Sequence, residues 1–298
     1  RPLESVGCYV PGGRHALPST LLMTVIPAQI AGVGRIVVVS PRPVPETLAA
    51  AALLGVNEFY AAGGAQAIAA LAYGTRSIAK VSKIVGPGNA YVTAAKKLVA
   101  FDCSIDMLAG PTEVVVVSEA GNSAFIAADL VAQAEHDPDA LAIFITSNEK
   151  YARQVMAETT RQSAGNTTAC QALKGNGYVI VSASPDDSMR IANLLAPEHI
   201  TIPNQDYLGK VESAGSVFVG DYSPQAAGDY ASGPNHVLPT GGSAHFRGGL
   251  SVNDFVKLIT VQELSADGLN TIAREITTLA QAEGLAAHAQ SIAVRLGA

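Results

Sequence analysis

Short runs of apolar, mostly β-branched residues alternate with alanine-rich stretches along most of this chain. Residues 35–40, 58–61 and 83–86 each have the length and composition of a strand, and residues 44–54 and 65–73 between them have the composition of helices. Strands that are apolar on both faces and are separated by helices are typical of a parallel sheet covered on both sides. The pattern therefore predicts an α/β fold.

The same alternation begins again after residue 112. Four further apolar runs have the length of strands, at 114–118, 141–146, 177–182 and 215–220. Two helices are predicted between them, at 123–136 and 149–164, the first with Ser123 as its N-cap. From residue 251 onward the sequence is helical without a clear strand. We predict two Rossmann-like parallel-sheet domains, residues 1–110 and 111–250, and a helical C-terminal tail at 251–298.

The composition argues against several classes of protein. Hydrophobic residues make up 48% of the chain and charged residues 15%, which favours a large core over disorder. The net charge of -6 argues against binding to nucleic acid through phosphates. Three scattered cysteines form neither a disulfide framework nor a cysteine-rich zinc module. Because no apolar run reaches the roughly 18 residues of a membrane span and no signal peptide opens the sequence, we expect a cytoplasmic protein without membrane partners.

Four of the six histidines lie close to carboxylate or amide side chains, in segments 133–136, 198–199, 228–236 and 283–288. Imidazole is the commonest metal ligand and titrates near neutrality, so these segments indicate a metal centre with acid–base chemistry beside it. Gln133 and His136 lie on one face of the predicted helix 123–136. Asp137-Pro138 ends that helix, which places the pair at the rim of the sheet, where open α/β folds bind ligands. A solvated or capping pair would give the same pattern.

Two other segments are candidates for chemistry. Glu198 and His199 precede a predicted strand at 200–202 and could supply two proton-transfer groups, although a polar turn would contain the same residues. Residues 228–239 place Asp229 and His236 among glycines and prolines, and long glycine-rich segments inside compact domains are usually functional or mobile. We assign no role to His245.

Glycine-rich turns near the predicted helix starts are candidate anion sites, at 9–13, 61–66 and 86–91. Free backbone N–H groups at helix starts favour phosphate groups. None of the turns contains the G-x-G-x-x-G fingerprint of dinucleotide-binding folds. Phosphate binding and ordinary tight turns therefore explain them equally well.

Eight segments together resemble histidinol dehydrogenases, in the same order over almost the whole chain. They are residues 6–13, 61–67, 83–91, 105–113, 133–136, 196–199, 228–240 and 283–288. The resemblance implies a zinc-dependent, NAD-linked, four-electron oxidation of L-histidinol to L-histidine through an aldehyde, at the end of histidine biosynthesis. It assigns NAD binding to residues 1–110, zinc and catalysis to 111–250, and dimerisation to 251–298. The implied assembly is an intertwined homodimer.

The resemblance also assigns a role to each site residue. The zinc ligands, which also meet the substrate, are Gln133, His136, Asp229 and His288. His199 would take the alcohol proton, and Glu198 would activate water for the second oxidation. Further substrate contacts are Thr112, which stands where many members have Ser, His236 and Glu283. Nucleotide contacts are Tyr9, Gln66 and Asn89. Glu283 and His288 would come from the tail of the partner subunit.

Three other functions stay open on the sequence alone. A dehydrogenase of another small polar alcohol, such as a sulfonated diol, would favour Arg or Lys where this chain has Glu198 and Glu283. A zinc-binding homologue without turnover is suggested because family members carry a further segment before the stretch that matches Val6. The presence of every named site residue favours an active enzyme instead. A generic Rossmann oxidoreductase lacks support because the glycine fingerprint is missing.

Overall fold

The computed structural model describes residues 1–12 and 17–297, and in this part the chain forms two five-stranded parallel sheets. The first consists of β1 (Ser5–Tyr9), β2 (Arg35–Val39), β3 (Glu58–Tyr60), β4 (Lys83–Val85) and β5 (Ser104–Ile105), in the order β3-β2-β1-β4-β5. The second consists of β6 (Glu113–Val117), β7 (Leu141–Thr146), β8 (Gly177–Val181), β9 (His199–Ile202) and β10 (Ser216–Val219), in the order β10-β9-β6-β7-β8. Both sheets therefore have the same connectivity, which confirms the predicted fold class.

Helices cover both faces of the first sheet because its strands are apolar on both sides. They are α1 (Pro18–Ile30), α2 (Pro45–Leu53), α3 (Gly64–Tyr73) and α4 (Ala90–Val99). Val38 shares a buried cluster with Val25 of α1, whereas its neighbour Val37 packs in a second cluster with Leu71 of α3 and Val92 of α4. This alternation is what the two-residue period of a strand dictates.

The second sheet is covered in the same way. Its helices are α5 (Ser123–Ala134), α6 (Glu149–Ser163), α7 (Thr167–Asn176), α8 (Pro185–Leu195) and the short α9 (Gln225–Tyr230). The predicted N-cap of α5 is wrong by one residue, since Ser123 is the first helical residue. Asn122 is the cap, and its side-chain oxygen accepts a hydrogen bond from the backbone N–H of Ala124 at 3.0 Å. An Asn oxygen serves this position as well as Ser does.

The chain divides into a larger unit, residues 2–257, and a C-terminal unit formed by Leu258–Ala298 with Arg1. The C-terminal unit contains α10 (Ala266–Ala282) and α11 (Ala286–Ala293), which pack on each other. Helix was predicted from residue 251, but α10 begins only at Ala266 because Ser265 caps it through the N–H of Gly268. The preceding β-branched residues 259–261 have low helix propensity. Among the described helices, none is long and apolar enough to cross a membrane.

Candidate active site

A cavity of about 290 Å³ lies in the larger unit, between the carboxyl edge of the first sheet and the amino edge of the second. Pro11 and Pro87, which follow β1 and β4, line one side, and Thr112 and Glu198, which precede β6 and β9, line the other. Gln133 lines it too, at the end of α5. The first sheet therefore contributes its carboxyl edge to the cavity, as expected for an open α/β fold. Gln133 instead lies at the amino edge of the second sheet, because the helix that bears it, α5, leads into the start of β7.

Glu198 reaches the cavity through an unusual turn. Helix α8 is capped at its C-terminus by Ala196, which is buried and adopts a left-handed backbone with φ of 45°. This conformation is unfavourable for a residue with a Cβ and is found where surrounding structure enforces it. Pro197 then directs the chain into β9. The turn therefore places Glu198 at the start of the strand, with only 7% of its surface exposed.

A chain of hydrogen bonds joins three of the predicted site residues. The side-chain amide of Gln133 donates to Thr112 Oγ1 at 2.5 Å, and the Thr112 hydroxyl donates to Glu198 Oε2 at 2.5 Å. The backbone N–H of Glu113 donates to the same carboxylate oxygen at 2.9 Å. Because its nitrogen is committed to Thr112, the amide oxygen of Gln133 is the atom left for a metal ion or a substrate.

The environment of Glu198 suits a general base. Burial raises the pKa of its carboxyl from 4.5 to about 8. The hydrogen bonds from Thr112 and Glu113 lower this pKa, while the negative charges of Glu113 and Asp229 raise it. A carboxylate with a pKa near neutrality accepts a proton far more readily than an ordinary one.

The imidazole of His199 is held in one orientation. Its Nδ1 lies 3.0 Å from the backbone oxygen of Glu113. A carbonyl can only accept, so Nδ1 carries the proton and Nε2 is left as the basic nitrogen. Nε2 lies 3.9 Å from Asp229 Oδ1, and Phe218 packs against the ring at 5.8 Å between centroids. Burial lowers the pKa of His199, which favours the neutral base.

Asp229 and His236 lie in the same cavity, as does the more exposed His136. His236 Nδ1 lies 2.9 Å from the backbone oxygen of Asp229, and its Nε2 lies 3.1 Å from Thr20 Oγ1. Both ring nitrogens thus have protein partners, and burial lowers the pKa of the ring. Sequence reasoning missed Thr20, because α1 was not recognised as an element, and Glu113, whose only signal was its place beside Thr112.

The three predicted nucleotide contacts lie at the carboxyl edge of the first sheet. Tyr9 ends β1, and its hydroxyl accepts a hydrogen bond from the N–H of Gly64 at 3.1 Å. Gln66 is exposed in the first turn of α3, a helix whose N-cap residue makes no side-chain hydrogen bond to the backbone N–H groups of that turn. Asn89 caps α4 and accepts from the N–H groups of Tyr91 and Val92.

The backbone segments of the turns at this edge pack closely against each other. A Cβ added at Gly86 would lie 2.1 Å from the backbone oxygen of Tyr9, and one added at Gly12 would lie 2.0 Å from that of Pro41. Such close approach of backbone segments leaves no room for a side chain and explains the glycines at these two positions. Gly13, part of the predicted turn, lies outside the described residues.

Glu283 and His288 belong to the C-terminal unit. Glu283 is the C-terminal cap of α10, and His288 lies in the first turn of α11. Across residues 1–12 and 17–297, no three His, Cys, Asp or Glu side chains cluster as a metal site. The larger unit supplies Gln133, His136 and Asp229 to the cavity, a set of oxygen and nitrogen donors.

Comparison with known proteins relates this geometry to one family. A family model described as histidinol dehydrogenase matches residues 1–296. The histidinol dehydrogenase of Geobacter sulfurreducens is 48% identical over 99% of the chain and 71% of its own length, and that of Archaeoglobus fulgidus is 49% identical over 99% and 73%. The chain belongs to the histidinol dehydrogenase family. The predicted family and the prediction of an oxidoreductase are therefore confirmed.

Solved structures agree with this family membership. The crystal structure of histidinol dehydrogenase from Elizabethkingia anophelis has a TM-score of 0.96 at 42% identity, covering 100% of this chain and 71% of that one. An acetylating aldehyde dehydrogenase from Geobacillus thermoglucosidasius has a TM-score of 0.57 at 14% identity and covers 89% of this chain and 76% of that one. The second likeness shows the fold alone.

Proposed function

We propose that this chain oxidises L-histidinol to L-histidine in two NAD-linked steps at a zinc-containing site. The observation that carries the proposal is the chain Gln133–Thr112–Glu198, which ends on a buried carboxylate beside the neutral imidazole of His199. Two distinct bases in one cavity are what two successive oxidations require, because an alcohol must lose a proton first and a water molecule must lose one later.

The donor set fits zinc. Gln133 through its amide oxygen, His136 and Asp229 would hold the ion, and in the proposed homodimer the partner's His288 would complete the set. Bound zinc would act as a Lewis acid and as an anchor for the amino and imidazole nitrogens of the substrate. Hydrogen bonding of Gln133 to Thr112 fixes the amide so that its oxygen is the atom available for the ion.

In the first step His199 Nε2 takes the proton of the substrate hydroxyl, and NAD, when bound, would accept the hydride from the carbon. Nδ1 donates a hydrogen bond to the backbone oxygen of Glu113, so Nε2 is the nitrogen that is free to accept this proton. Asp229, 3.9 Å from Nε2, stabilises the imidazolium that results. The product of this step is the aldehyde.

In the second step Glu198 removes a proton from water as the water attacks the aldehyde carbon. A second NAD would accept the hydride of the resulting hydrate, which leaves the carboxylate. In balance, one alcohol, one water and two NAD yield one carboxylate, two NADH and three protons. Thr112 stabilises ionised Glu198 by donating to it, and this is the reason a hydroxyl is needed at residue 112.

The charge of the cavity supports a cationic amino alcohol over a sulfonated diol. Asp137, Glu198 and Asp229 line it, and no Lys or Arg does so among the described residues. A sulfonate would face carboxylates without a Lys or Arg partner among the described residues, whereas the protonated amine of histidinol would be attracted. The alternative substrate class is therefore the less favoured one.

We also propose that the enzyme is a homodimer joined through the C-terminal unit. This unit exposes large apolar side chains, with Leu258 at 94%, Val261 at 89% and Leu279 at 63% exposure. Apolar exposure of this extent is typical of surfaces that bind a partner. In the proposed dimer Glu283 and His288 serve the site of the other subunit.

The proposal is tested by NADH formation after the protein has been freed of metal with a chelator. L-Histidinol and a sulfonated diol are each supplied with NAD, with and without added zinc. We expect NADH only with L-histidinol and zinc together, and about a hundredfold or greater loss in His199→Asn. Turnover that is equal without zinc, or faster with the sulfonated diol, would contradict it.

A further inference from the structure

Lys96 of α4 and Asp106, directly after β5, form the most completely buried ion pair in the described part of the chain. Their side chains are 2% and 0% exposed. Burying two charges is expensive, and apolar side chains of similar volume in their place are often equally stable or more so. Neither side chain takes part in the two oxidation steps or lines the catalytic cavity. The pair therefore calls for a role other than stability.

The pair holds the turn after β4. This turn begins with Gly86, whose φ of 106° is rarely adopted by residues with a side chain. Asp106 Oδ2 accepts a hydrogen bond from the backbone N–H of Gly86 at 2.6 Å, and Lys96 Nζ donates to the backbone oxygen of Gly86 at 3.0 Å. Pro87, the next residue, lines the catalytic cavity. The ion pair thus fixes one wall of the cavity, formed by residues 86–88.

The same carboxylate fixes a second wall, formed by residues 107–112. Asp106 Oδ1 accepts a hydrogen bond from the backbone N–H of Met107 at 2.5 Å, and the side chain of Met107 lies at the cavity. The segment ends at Thr112, which donates to Glu198. Hydrogen bonds to an ionised acceptor are stronger than those between neutral groups, so this carboxylate holds both N–H groups firmly.

A third wall, the loop of residues 237–250, also meets Asp106. Val237 and Leu238 line the cavity, and the N–H of Leu250 donates to the backbone oxygen of Val237 at 2.9 Å, which closes the loop. Within this loop, Arg247 Nη1 donates to the backbone oxygen of Asp106. Segments that are far apart in the sequence and line one cavity are therefore joined at a single buried residue.

We propose that Lys96 and Asp106 are a positioning pair, which holds these three walls in the arrangement that oxidation of the substrate requires. The pair acts through the backbone of the walls and touches no substrate. A displacement of about 1 Å at the reacting groups can lower a rate about a hundredfold, so a small movement of the walls is sufficient to affect turnover. The proposal rests on the proposed function for the reaction, whereas the order of the walls is measurable without turnover.

The experiment compares wild type with Asp106→Asn, Lys96→Met and the double variant, in the full chain. Asn keeps the shape of Asp, but its side-chain nitrogen can only donate, so one of the two backbone N–H groups loses its acceptor. Met keeps most of the Lys stem and lacks the charge. The matched control is Glu58→Gln, which breaks the ion pair of Glu58 with Arg35, 2.7 Å apart at the amino edge of the same sheet.

Two quantities are measured at a temperature where thermal unfolding shows every variant to be folded. The first is amide hydrogen exchange, followed by mass spectrometry without ligands. We expect exchange about tenfold or more faster at residues 86 and 107 and in the loop 237–250 of the three pair variants, with the second sheet unchanged. The second is kcat/KM for L-histidinol with zinc and NAD, which should fall about tenfold to a hundredfold.

The double variant should lose no more kcat/KM than the weaker single variant, because the two residues act as one unit. Glu58→Gln should keep the kcat/KM and the wall exchange of wild type. Unchanged kcat/KM in the folded pair variants, an equal loss in Glu58→Gln, or exchange that is unchanged at the walls or rises evenly over residues 2–257 would overturn the proposal. If wild type does not oxidise L-histidinol, the proposed function fails, and exchange at the three walls decides separately whether the pair positions them.

Discussion

Replacing Glu198 by Gln should make the enzyme more stable and stop it at the aldehyde. Gln has the shape of Glu, and its side-chain oxygen can still accept the hydrogen bonds from Thr112 and Glu113. The substitution removes only the ionisation of a carboxyl that is buried next to the negative charges of Glu113 and Asp229. The variant should therefore lose the catalytic activity that needs this charge and gain the stability that burying the charge removes.

The size of the effect follows from the pKa of Glu198, which rises from 4.5 to about 8 on folding. Below about pH 4.5 the carboxyl is protonated in both states and costs nothing. As the pH rises toward 8 the unfolded chain releases the proton while the folded chain keeps it, so the free energy of unfolding falls. At pH 7 the difference is about 3 kcal/mol, from about 1.4 kcal/mol per pH unit. Glu198→Gln has no ionisable group at this position, so its free energy of unfolding does not fall in this way.

The assay is thermal unfolding of metal-free protein at pH 5 and pH 7.5, with Glu4→Gln, at an exposed carboxylate, as the matched control. We expect Glu198→Gln to unfold roughly 5 °C or more above wild type at pH 7.5, with a much smaller difference at pH 5. The variant should oxidise histidinaldehyde at least about a hundredfold more slowly. Equal or lower stability of the variant at pH 7.5 would refute the assigned burial cost.

Two other substitutions test the geometry. Thr112→Val removes the hydroxyl that donates to Glu198 and should lower kcat/KM about tenfold to a hundredfold, in line with about 1.5–3 kcal/mol for a hydrogen bond to a charged group, while Thr112→Ser should retain most activity. Gly228→Ala would set a Cβ 2.7 Å from the ring of Phe218, which packs on the catalytic imidazole, and should cost about 1–3 kcal/mol of stability by thermal unfolding and lower kcat. Its control, Gly175→Ala in α7, meets no atom within 4 Å and should be neutral or slightly stabilising; equal losses in both would contradict the packing argument.

Local pattern was sufficient for most of the fold. The buried strands β2, β6 and β7 lie within about one residue of their predicted ends. A continuous run of β-branched residues is typical of a strand that is buried on both faces, so the run itself marks where the strand begins and ends. Helix α1 was missed because it starts with Pro18 after a glycine-rich turn and carries Pro27 inside it. Proline is a helix-breaking signal in the sequence, and tertiary packing of the buried face of α1 outweighs it.

The site was less accessible to sequence reasoning. The proximity of Thr112 and Glu198 depends on β6 and β9 being neighbours in the second sheet, and a single sequence without the sheet order does not supply that. The basic nitrogen of His199 is likewise decided by a backbone oxygen, that of Glu113, rather than by any side chain. The left-handed backbone of Ala196 has no sequence signal, since alanine is an ordinary residue whose conformation here is set by its surroundings.

The most direct test of the central claim is the number of NADH molecules formed for each L-histidinol consumed by the zinc-loaded enzyme, with the product identified. The account predicts two NADH and L-histidine for wild type, and one NADH with trapped aldehyde for Glu198→Gln. One NADH per histidinol from wild type, with the aldehyde as the final product, would contradict the claim that one cavity carries both oxidations.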